Sequence, residues 1–153
     1  MNRVIDTLFI SSSIIFNTSV STLYLAIKLG NIVLAQVCGG IVISLMIPFT
    51  ITLVGYVREN EQKRTILSHG FILFYLVLEL VLEYILRIPF REIVALHVPY
   101  IIVFYAALFS MIGVSVKKNR KMGLVVIATF LLLMACLIYY LAPLEVLHVG
   151  VIL

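Results

Sequence analysis

The chain has 153 residues, 63% of them hydrophobic and only 12% charged, with a mean hydropathy of +1.22. A soluble domain is about half apolar and a quarter charged, so this composition reads as an integral membrane protein, in the cell (cytoplasmic) membrane. The formal net charge of +4 does not imply nucleic acid, because the basic residues stand at the ends of apolar segments, where membrane topology accounts for them.

The expected fold is all-α, a single domain over 1–153 that forms a bundle of five transmembrane helices at about 5–27, 32–56, 66–86, 98–116 and 123–142. Short connectors make neighbouring helices antiparallel. The first span follows Arg3 as a signal peptide would, but Ser11, Ser12, Ser13 and Asn17 interrupt its apolar run and no A-x-A-like site follows, so it is expected to be retained. Along it, Asp6, Ser13, Asn17, Ser21, Tyr24 and Lys28 form one polar stripe. Such a stripe can line a hydrated path, although small hydroxyl residues more often join membrane helices.

In the second span, Gln36, Gly40 and Ser44 share a face beside Ala35 and Gly39, a spacing that favours close helix contact. Pro48 should kink the same span.

The third span holds the main anomaly, the two carboxylates Glu79 and Glu83. On insertion scales the pair costs about 5 to 7 kcal/mol, against about 4 to 8 kcal/mol returned by the Leu, Ile, Val and Phe residues around it. The helix can insert, but its acidic face must meet protein, water or a cation. Tyr75, Glu79, Glu83 and Arg87 recur every four residues and so form one stripe. Arg87 and Lys28 are the expected charge partners of Glu83. His69, near the opposite end of this span, reads as an interfacial residue beside Ser68.

After the third span Pro89 breaks the helix, Phe90 to Leu96 is expected along the interface, and Pro99 fits the first position of the fourth helix. His97 then stands just before that helix. Pro143 closes the fifth span, leaving Leu144 to Leu153 on the membrane or over the bundle mouth. The N-terminus and the loops at 58–65 and 117–121 carry eight of the eleven basic residues, which places them in the cytoplasm and the C-terminus outside. Tyr24, Tyr84, Tyr100, Tyr139 and Tyr140 fall near the outer interface.

The candidate ligand- or ion-binding set is therefore Glu79, Glu83 and His97 with Asn17, Tyr75 and Tyr100. No resident cofactor is expected; a divalent metal is the one inorganic group that Glu79, Glu83 and His97 could hold. Cys38 and Cys136 have no CxxC or Cys/His spacing, and no GxSxG, phosphate-binding or dinucleotide fingerprint is present.

Three functions fit. The first is binding or transport of a proton, metal ion or small cationic solute by the glutamate pair. The second is acid–base chemistry on a lipid or isoprenoid. The third is a role as a subunit or assembly factor of a larger membrane complex, or as a homo-oligomer. In each case the lipid bilayer is the surrounding partner.

Overall fold

The computed structural model describes residues 3–87 and 93–142. Among them there are only helices and turns: α1 (Arg3–Lys28), α2 (Ile32–Ser44), α3 (Met46–Arg58), α4 (Lys63–Glu79), a π-helical turn (Leu80–Ile85), α5 (Val94–Lys118) and α6 (Arg120–Leu141). Taking α2 with α3 and α4 with the π turn, five stretches are long and apolar enough to cross a membrane: Arg3–Lys28, Ile32–Arg58, Lys63–Ile85, Val94–Lys118 and Arg120–Leu141. Pro89, Phe90, Arg91 and Glu92, and Pro143 with the segment Leu144 to Leu153, lie outside the described residues, while Val94 to Leu96, expected along the interface, instead open α5.

Local chemistry sets the boundaries. Gly30, with φ +71°, makes the turn after α1, and Asn31 caps α2 by accepting the Leu34 amide at 3.0 Å. Asn119 joins α5 and α6 alone, accepting the amides of Lys121 and Met122 at 3.1 and 3.2 Å. So short a hairpin requires close backbones. Gly123 supplies them, since a Cβ there would lie 2.6 Å from Val116 Cα.

The second span breaks at Leu45. Pro48 cannot donate to the Ser44 carbonyl, and the chain tightens just before it, where the Leu45 amide is shared between the Ile41 and Val42 carbonyls at 3.2 and 3.3 Å. Pro99, by contrast, is not the first residue of its helix. α5 begins five residues earlier, at Val94, with the amides of Leu96 and His97 both bonded to the Ile93 carbonyl. Pro99 is tolerated because the one donor it removes would serve Ala95, still within the first turns.

α1 packs against α2, α3, α5 and α6, and α4 packs against α3 and α5. The core consists of Phe9, Phe16, Phe49, Ile72, Leu76, Leu108, Met111, Val126 and Leu133, all buried. Large apolar side chains such as Ile47, Ile102, Leu124 and Leu131 point outward, the inverse of a water-soluble surface and the pattern a lipid environment favours. The polar stripe of α1 is inside the bundle. Ser13 and Ser21 bond the carbonyls of Phe9 and Asn17 four residues back, while the Asn17 Nδ2 group donates across to Val126 O and Thr129 Oγ1 on α6.

The small-residue face of α2 differs from expectation. Gln36, Gly40 and Ser44 are exposed, and a Cβ at Gly40 would meet nothing within 4 Å. The packed stripe is Cys38, Val42, Leu45 and Phe49, because these larger apolar groups fill the core while small residues leave it short of contacts. Only Gly39, at the edge of the first face, makes a close approach: its Cβ position lies 2.5 Å from the Tyr84 hydroxyl.

Candidate functional site

At the end of the bundle opposite the basic loops, the α4 stripe builds a hydrogen-bonded chain. Tyr75 is buried and its hydroxyl lies 3.0 Å from that of Tyr100 on α5. Tyr100 in turn donates to Glu79 Oε2 at 2.5 Å. That leaves Tyr75 as donor to Tyr100, since each phenol has one proton. The two tyrosines thus hold the half-buried Glu79 from behind. His97 stacks on Tyr100, with ring centres 6.5 Å apart and planes 17° off parallel. Its amide is taken by Ile93, and its buried Nδ1 has no partner among the described residues.

The π turn follows directly. The Leu86 amide reaches back to Val81 O at 2.8 Å, an i to i−5 bond that widens the helix. Glu79 and Glu83 both line a crevice of about 330 Å³ between this turn and α1 and α2. Its other walls include Leu23, Ile27, Ile32 and Ala35, with Gln36 and Tyr84 as the neutral polar groups. Arg87 lies beyond the helix end at φ 50°, so the expected four-residue stripe stops before it. Lys28 donates to the last carbonyls of α6, Tyr140 O at 3.3 Å and Ala142 O at 2.6 Å, and stands 5.5 Å from the Tyr139 ring centre. Its charge thus caps a helix C-terminus.

Among the described residues, no three His, Cys, Asp or Glu side chains gather as a metal would require. Asn17 belongs to the α1–α6 contact. Cys38 and Cys136 are free and buried.

The basic end contains a second polar cluster that the sequence pattern did not disclose. The Lys118 side chain, 3% exposed, places its ammonium 3.5 Å from Asp6 Oδ1 on α1, against Glu61 in the α3–α4 connection, and 4.5 Å from the Tyr56 ring centre. Tyr56 donates to Asp6 Oδ1 at 3.0 Å. Lys117 donates to Gln62 Oε1 and Thr65 Oγ1, both at 2.9 Å. The Lys118 hydrogen bond and charge hold the Glu61 carboxyl below its usual value of 4.5. These contacts bring the N-terminal end of α1, the 59–62 connection and the α5–α6 turn to one end of the bundle. The only local signal was an acid in the first turn of α1 and paired lysines in the last turn of α5.

His69 is not interfacial. It is completely buried on the packed stripe Thr65, His69, Ile72, Leu76, among the rings of Phe9, Phe49 and Tyr56 at centroid separations of 4.6, 6.1 and 5.3 Å. Thr52 Oγ1 donates its proton to Phe49 O, so the 2.8 Å contact with His69 runs from Nε2–H to Thr52. Nδ1 has no partner among the described residues.

Comparison with models of protein families, with curated proteins and with solved structures yields no match.

Proposed function

We propose that the chain is a membrane-embedded binding or transport protein for a small organic cation, received in the Glu79/Glu83 crevice. The observation that supports this most directly is the pairing of two carboxylates with hydrocarbon walls in one space of about 330 Å³. An ammonium group bound there would meet opposite charge while its carbon body contacts Leu23, Ile27 and Ile32. A hard divalent cation asks for about six or more oxygen ligands, and this lining is largely hydrocarbon. Tyr100 and Tyr75 fix the Glu79 carboxylate, which lowers the reorganisation needed on binding.

The orientation belongs to the same reading. Eight basic residues, Arg3, Arg58, Lys63, Arg64, Lys117, Lys118, Arg120 and Lys121, lie at or beside the end closed by Lys118. The positive-inside rule assigns this end to the cytoplasm. The acidic crevice then opens toward the outside.

The test is calorimetric titration of the purified protein with butylammonium. Saturable binding that weakens about ten- to a hundredfold in Glu79→Gln and in Glu83→Gln, the range for a lost charged hydrogen bond, supports the reading. Equal affinity in wild type and both variants refutes it.

A further inference from the structure

We propose that a second cavity, between the basic ends of α4 and α5, binds an anionic phospholipid through its phosphate headgroup. This cavity measures about 480 Å³ and is separate from the acidic crevice, so it stands or falls independently of the cation reading.

Its chemistry is ordered along the helix axes. On α4, Arg64 and Ser68 are one turn apart on the same face; on α5, Ser110, Gly113 and Lys117 form the facing stripe. The cationic groups of Arg64 and Lys117 are therefore at the helix ends, and Ser110 lies about 10 Å deeper by the rise per residue. Phe109 and Val114 add hydrocarbon, and Phe109 is exposed. Gly113 leaves the wall open, since a Cβ there would meet nothing within 4 Å. From end to middle the cavity thus presents the two cations, then Ser68 on one wall with Val114 and Gly113 on the other, then Ser110 beside Phe109. Charge stands at the mouth, and hydroxyls and hydrocarbon share the depth below it. An anionic phospholipid likewise carries its phosphate at one end, with ester oxygens and acyl chain below it.

Charge complementarity favours this occupant over a zwitterionic lipid. Glu61 is 3.8 Å from Lys117, but it is in closer contact with Lys118. The Lys117 side chain stays 42% exposed, held toward the cavity by Gln62 and Thr65.

Native mass spectrometry of the detergent-solubilised full chain tests the proposal, with dioleoyl phosphatidylglycerol, dioleoyl phosphatidylcholine and inorganic phosphate as separate probes. The expected result is preferential retention of phosphatidylglycerol, weakened about fivefold by Arg64→Gln and similarly by Lys117→Gln, and unaffected by millimolar inorganic phosphate. Lys121→Gln removes the same charge from an exposed position nearby and should leave retention unchanged. Gly113→Leu adds a side chain where a Cβ meets nothing within 4 Å and should reduce lipid retention with both cations intact. Arg64 is exposed, so Arg64→Gln reports on binding even if Lys117→Gln perturbs the fold. Equal retention of the two lipids, an equal loss in Lys121→Gln, indifference to Arg64→Gln and Gly113→Leu, or full competition by inorganic phosphate would each overturn the assignment.

Discussion

Lys118 lies over the face of Tyr56 at 4.5 Å from the ring centre while that same tyrosine donates its proton to Asp6. One buried ammonium thereby links α1, α3 and the α3–α4 connection to the end of α5. Breaking a buried ion cluster by removing one member leaves the others unpaired, at a cost of about 3 to 5 kcal/mol. Lys118→Met should therefore cause a large loss of thermal stability in detergent. Lys117→Gln removes a more exposed charge and should cost under about 1 kcal/mol.

The same cluster sets an acid limit. Glu61 is held below 4.5, first by its hydrogen bond from Lys118. A carboxyl lowered in the folded state stabilises it above the unfolded value, and that stabilisation is lost as pH falls through the folded value. The melting temperature should decline below about pH 4.5, and Glu61→Gln should flatten that decline. An unchanged acid profile in Glu61→Gln would show that other carboxylates set the limit.

The glycines predict opposite outcomes for one substitution. At Gly123 a Cβ meets Val116 backbone atoms at 2.6 and 2.8 Å, so Gly123→Ala should destabilise by about 1 to 3 kcal/mol through overpacking. Gly40→Ala enters open space and should be neutral or stabilise by up to about 1 kcal/mol. Thermal melts of the two variants decide this directly.

Tyr100→Phe removes the donor to Glu79 and the acceptor for Tyr75 together. A loss of about 1 to 3 kcal/mol is expected, with weaker butylammonium binding. Tyr75→Phe keeps the Glu79 contact and should affect binding less. The reverse order of effects would mean that Tyr75 has a role of its own.

The helical stretches were legible because each apolar run is long and bounded by charge or turn residues, as at Lys28-Leu29-Gly30-Asn31 and Lys117 to Lys121. Glu79 and Glu83 stood out for the same reason, being acids within such a run. The partners of Lys118 were not, because Asp6, Tyr56 and Glu61 come from distant parts of the chain and no periodicity joins them. The four-residue rule also failed at its own boundary: it assumes a uniform α-helix, and the Leu86-to-Val81 bond breaks that assumption between Glu83 and Arg87. His69 was misplaced because its nearness to the span's end outweighed its register with Thr65, Ile72 and Leu76.

A π turn is in effect an α-helix carrying one surplus residue. Excising Val81 would let the ladder close as regular α-helix and leave the two glutamates three residues apart, a spacing that keeps both on one helix face. Glu79 would keep its tyrosine support and Glu83 would stay on the crevice side, with the helix narrowed between them. The surplus residue is thus absorbed within this one turn, and the two acids face the same space with or without it.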